Sequence, residues 1–117
     1  MKEEAKQTYQ VVFTDEFDLC LDIIQEFYAD QGDETLAWWY LKEEEIIDYI
    51  ESLLSTNPFI GRSVDKGKFK GLRRITYGKS KHLMLNYLIY YAVHQNDFFI
   101  EVINILPSRT KRKRVTK

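Results

Sequence analysis

The sequence predicts an α+β domain of two layers, ordered β-α-α-β-β-β. Three observations carry this reading. Two successive stretches between Thr14 and Pro58 place apolar residues three and four apart, the period of a helix with one buried face. From Leu72 onward, β-branched and aromatic runs alternate with short polar breaks, the pattern of consecutive antiparallel hairpins. A helical pair with an apolar face needs a sheet to cover it, and 117 residues supply one core rather than two.

Each element has its own local reason. Residues 1–7 are polar and give no periodic signal. Tyr9 to Phe13, YQVVF, is β-branched and aromatic and reads as a short strand. Thr14 or Asp15 can cap the first helix. Phe17, Leu21, Ile24 and Tyr28 form its core stripe, widened by Cys20 and Phe27, and Gly32 ends it. Asp33 is the expected cap of a longer second helix. Leu36, Trp39, Ile46, Ile50 and Leu53 share one face there, with Tyr40, Ile47 and Leu54 beside it. Glu43 to Glu45 breaks the apolar pattern and is expected on solvated surface. Pro58 stops further helix. After a loop with Gly61 and Gly67, strands are expected over Leu72–Tyr77, His82–Val93 and Phe98–Leu106. A turn at Gly78 and the polar run Gln95-Asn96-Asp97 separate them, and Pro107 closes the last. One domain over residues 1–117 is expected, with its core at about 9–109 and a basic tail at 110–117.

Charge divides the chain. Residues 1–58 hold 15 acidic and 3 basic residues, a net of −12; residues 59–117 hold 3 acidic and 14 basic, a net of +11, and the two sum to −1. One layer is therefore expected to repel anions and the other to attract them. No run of ~18 apolar residues is present for a membrane span. The N-terminus lacks the apolar segment of a secretory signal, and the single Cys20 allows no internal disulfide, so a cytoplasmic location is expected. No metal or cofactor is expected. Tyr87, Ile89 and Tyr91 alternate with Leu88 and Tyr90, so both faces of the central strand carry aromatics. These tyrosines either fill the core and edges or form a stacking and docking face.

The ordered set NPFIGRSV, GLRRITYG, YLIYYAV and FFIEVINILPSR resembles the RelE/ParE superfamily of bacterial type II toxins over about residues 9–110. The shared features are a Gly-Arg after the second helix, a Leu-Arg opening the next strand, a YLIYY-like central strand and a partner strand ending near an Arg. The resemblance implies a small toxin paired with a cognate antitoxin, whose flexible acidic segment folds on binding. It also implies a hetero-oligomer with the antitoxin or a homodimer. RelE-like members cut mRNA on the ribosome; ParE-like members, known from plasmid stabilisation, inhibit DNA gyrase without being nucleases. Some relatives have lost toxicity.

RNA cleavage through the 2′-hydroxyl needs a base, an acid and cations on the phosphate. The cations are abundant here: Lys68, Lys70, Arg73, Arg74, Lys79, Lys81 and Arg109. The acid and base are scarcer. Nuclease relatives carry His or Tyr at or just beyond the last strand, where this chain has Pro107 and Ser108. They carry a basic residue where this chain has Tyr87, and many family members carry Arg where it has Ala92. His82 and His94 remain as proton carriers. If the chain is a nuclease, Arg73, Arg74, His82 and Arg109 are its candidate set. The departures favour the ParE-like branch, with no enzymatic activity of its own. Its expected target- and antitoxin-binding residues are Arg62, Lys70, Arg73, Arg74, Tyr87 and Arg109. Arg62 also admits a role as a loop anchor. Strand alternation sends Arg73 and Arg74 to opposite faces, so at most one serves a given surface. The tail RTKRKRVTK offers phosphate binding without stacking partners.

Overall fold

A computed structural model describes residues 8–78 and 86–108. Strand β1 spans Gln10–Phe13, helix α1 Asp15–Ala29, helix α2 Asp33–Thr56, β2 Arg62–Ser63, β3 Arg73–Tyr77, β4 Tyr87–His94 and β5 Phe99–Pro107. The five strands form one sheet in the order β1-β5-β4-β3-β2. Only β1 runs parallel to its neighbour, with Val11 opposite Ile100; the other pairs are antiparallel. The predicted architecture is the observed one, with β2 added.

Thr14 is the cap of α1. Its Oγ1 accepts from the Phe17 N–H at 3.1 Å and donates to the Val102 carbonyl at 2.9 Å. One hydroxyl thus closes the helix start and pins it to β5. Replacing Thr14 with Ala is expected to lower unfolding stability by about 1–2 kcal/mol. A urea titration checks this.

Between the helices Gly32 takes φ 121°, a backbone that side chains rarely allow. Gly32, not Asp33, occupies the cap of α2, and no side chain closes that end; Asp33 is the first helical residue. The first helix is closed earlier than expected: Asp30 is its C-terminal cap, its N–H bonded to the Glu26 carbonyl, and Gly32 follows two residues later. The helices cover one sheet face. Phe17, Trp39, Ile46, Ile50 and Leu54 meet Tyr87, Ile89, Tyr91, Ile100 and Val102 there, all at 0% exposure. Leu54 takes the fully buried place, and Leu53 is only partly buried. Cys20 packs half-buried against this core.

Two strand boundaries and one surface expectation also differ from the sequence reading. β4 begins at Tyr87; Asn86 precedes it outside the strand, and positions 82–85 lie outside the described residues. Phe98 adopts a left-handed turn conformation, φ 53°, so β5 starts at Phe99. The Glu43–Glu45 triplet is not uniformly solvated: Glu43 is half-buried, and Glu45 accepts hydrogen bonds from Lys42 at 2.9 Å and Tyr77 at 3.0 Å.

Candidate functional site

The sheet face turned away from the helices carries the charge. Residues paired across strands share a face, so the buried helix-side set fixes the sides of all the others. Tyr91 faces the helices, hence so does Arg73 opposite it. Arg74 is paired with Tyr90 and with Arg62, which places all three on the outer face.

Arg73 is an anchor. Its guanidinium donates to the Gly61 carbonyl at 2.6 Å and the Phe59 carbonyl at 3.2 Å, and it lies 5.1 Å from the Phe59 ring centroid. It ties down the loop that leads from α2 into β2, the role that the sequence had left open to Arg62. Replacing Arg73 with Ala is therefore expected to cost about 1–3 kcal/mol of stability. Binding measured on the folded fraction should change far less, and calorimetry beside a binding assay separates the two.

Gly61 explains the Gly-Arg pair. Its N–H donates to the buried Tyr91 hydroxyl at 2.9 Å. A β-carbon there would stand 2.6 Å from that hydroxyl and 2.9 Å from the Arg74 carbonyl. Only glycine lets the chain pass so close, and this passage sets Arg62 beside Arg74.

Arg62 is exposed and Arg74 half-exposed; neither side chain forms a hydrogen bond or ion pair with another described residue. Like charges placed opposite each other on a sheet repel, so an anionic or carbonyl-rich partner would relieve the pair. The loop between β2 and β3 folds back over this region. Its turn is closed by Val64 N–H to Leu72 at 2.9 Å and Gly71 N–H to Val64 at 3.0 Å. Phe69 stacks on Tyr90, centroids 4.1 Å apart at 22°, which leaves Tyr90 only 7% exposed. Lys66, Lys68 and Lys70 are exposed on the same loop. Next to the arginines the outer face turns aliphatic, with Thr76, Leu88 and Leu106 in one row. Phe69 was not singled out from the sequence. An aromatic residue between two lysines in a basic loop was the available signal.

Tyr87 belongs elsewhere. It is fully buried, its hydroxyl hydrogen-bonds that of Tyr28 at 3.1 Å, and its ring meets Trp39 at 6.0 Å. Burial, reinforced by Tyr28, pushes its ionisation far above the ordinary tyrosine range. A target or antitoxin cannot touch it, and it is poorly suited to proton transfer. The expectation of a surface role for Tyr87 is corrected by its burial against α1 and α2. His94 pairs with Glu101 at 2.8 Å and stacks on Phe99 with centroids 4.3 Å apart. It stands four residues along β4 from Tyr90, about 13 Å away. His82 and Arg109 lie outside the described residues.

The layers divide the charge as well. Helix α1 carries Asp15, Glu16, Asp18, Asp22 and Glu26 with no Lys or Arg, and Lys42 is the lone basic residue of α2. The family model of the ParE toxin of the type II toxin-antitoxin system, parDE, matches residues 11–112. The chain belongs to the ParE toxin family. No curated protein sequence matches it. Among solved structures, a chain of the RelBE2 toxin–antitoxin complex from Mycobacterium tuberculosis is similar, with TM-score 0.55 and 13% identity. The match covers 87% of this chain and 99% of that one. At that identity the likeness is one of fold, and it places this ParE-family chain on the architecture described above. No helix among the described residues is long and apolar enough to cross a membrane.

Proposed function

We propose that this chain is the toxin of a type II pair, is neutralised by a cognate antitoxin, and acts by binding DNA gyrase rather than by cutting RNA. The observation that carries the reading is the Arg62–Arg74 pair. It sits on the outer sheet face, Arg62 exposed and Arg74 half-exposed, with the lysine-bearing β2–β3 loop nearby in sequence and an aliphatic row along the face. Arginine next to apolar surface is the composition of a protein-binding hot spot. A nuclease would need an acid and a base within hydrogen-bond reach of the scissile phosphate. Beside the arginine pair, Tyr87 is sealed in the core and His94 is held by Glu101.

The antitoxin reading rests on family membership and on charge. An acidic segment that folds on binding would meet the cationic sheet side, and the similar RelBE2 structure is itself a toxin–antitoxin complex. The test is gyrase-catalysed supercoiling with purified protein, run beside message on programmed ribosomes. Blocked supercoiling with intact message is expected. Unchanged supercoiling at saturating protein with cleaved message would overturn the reading in favour of a RelE-like ribonuclease.

A further inference from the structure

Residues 62–74 carry six basic side chains and one acidic one, Asp65, a net of +5 in 13 residues. Arg62 and Arg74 form the proposed protein-binding pair, and Arg73 holds the loop before β2. Lys66, Lys68 and Lys70 remain. All three are exposed, and none forms an ion pair with a described residue. Lysine is depleted at protein–protein interfaces, where arginine is enriched. Its compact, strongly hydrated charge suits a phosphate better than an apolar contact. The loop that carries these lysines is held in place. Lys70 N–H donates to the Gly67 carbonyl at 3.1 Å, Leu72 N–H donates to the Phe69 carbonyl at 3.0 Å, and the Phe69 ring lies on Tyr90. Tyr90 pairs with Arg74, so the loop is pinned to the face that carries the arginines.

We propose that the loop at residues 66–70 binds the phosphate backbone of duplex DNA without reading its sequence, so that the protein touches the DNA on which gyrase works as well as gyrase itself. Phosphate contacts position a protein on DNA and carry no sequence information, which suits a fixed loop of ammonium groups. A fixed loop also presents its charges with little ordering cost. The aromatic rings point to duplex rather than to single strands. Tyr90 covers one face of Phe69, and the Lys68 Nζ stands 5.5 Å from the centroid of the same ring. Tyr90 itself is 7% exposed. Single-strand binding relies on open aromatic faces for the bases, and both rings here are already in contact. The helical layer, with no Lys or Arg on α1, repels a polyanion and turns the outer face toward it. The biological setting rests on the gyrase reading, but the DNA contact is measured without gyrase, so either can fail alone.

Fluorescence anisotropy of a labelled DNA duplex, titrated with the full-length protein at several salt concentrations, tests this. Saturable binding is expected, equal for two duplexes of unrelated sequence and weaker for single-stranded DNA or RNA of the same length. Lys66→Gln, Lys68→Gln and Lys70→Gln together should weaken it at least tenfold at low salt. The slope of log affinity against log salt should become shallower by about 2–3. Phe69→Ala keeps every charge but frees the loop, and should also weaken binding; Phe69→Tyr should restore it. Lys42→Gln on α2 should change nothing. Unchanged affinity in the triple variant would overturn the proposal and leave any binding to the basic tail. So would tighter binding of single strands. Blocked supercoiling without DNA binding would strike this inference and spare the gyrase reading; DNA binding with normal supercoiling would do the reverse.

Discussion

Replacing Gly61 with alanine is expected to destabilise the protein by about 2–4 kcal/mol. The added β-carbon would meet the Tyr91 hydroxyl and the Arg74 carbonyl at distances that real side chains do not tolerate. Something must shift. The Tyr91 ring is at 0% exposure between the helices and the sheet, so it has no room to retreat. The chain at Gly61 must move instead, breaking its hydrogen bond to Tyr91 and loosening the Arg73 grip on the Gly61 carbonyl. Arg62 then loses its register with Arg74. Binding should therefore weaken together with stability, unlike in the Arg73 variant. Tyr91→Phe removes the hydroxyl but leaves the Gly61 N–H unsatisfied, and on its own should cost about 1–2 kcal/mol. In the double variant part of the clash is gone, so the two losses should sum to more than the double shows. Urea titrations of the four proteins measure this cycle. Strictly additive losses would mean that Gly61 and Tyr91 do not press on each other.

The larger functional effect is expected from Arg62→Ala combined with Arg74→Ala. One hot-spot arginine is worth about 2 kcal/mol of binding or more, roughly 30-fold. The pair should thus reduce affinity for the target by well over that factor. Stability should hold or rise slightly, because the change removes two like charges placed opposite each other and breaks no described hydrogen bond. Affinity by calorimetry, with thermal unfolding as the fold control, tests both halves. Unchanged affinity would reduce the pair to a solubilising role.

Much of this was legible in the residues, and the reasons differ by element. The helices were read from a period that burial enforces: Phe17, Leu21, Ile24 and Tyr28 all lie in the core. The hairpin order of β3, β4 and β5 followed from short polar breaks. Strand alternation alone separated Arg73 from Arg74. Which of the two faced outward was not readable, because that depends on which face the helices cover. Tyr87 was misplaced for the same reason: a tyrosine on a strand looks alike on either face until α2 is seen to set Trp39 against it. β2 has two residues and exists only by pairing with β3, so no local signal marks it. The parallel pairing of β1 with β5 joins residues almost 90 positions apart, which periodicity does not report. The charge division was plain in the sequence, and the fold turned it into layers.

The central claim is that gyrase is met by the outer sheet face rather than by the acidic helical layer. Lysine footprinting tests it most directly, because Lys66, Lys68 and Lys70 lie on the loop whose Phe69 stacks on Tyr90 of the outer face, while Lys42 lies on α2. Acetylation of the folded protein should slow at the three loop lysines when gyrase is added and stay constant at Lys42. Protection of Lys42 with the loop lysines unaffected would contradict the account.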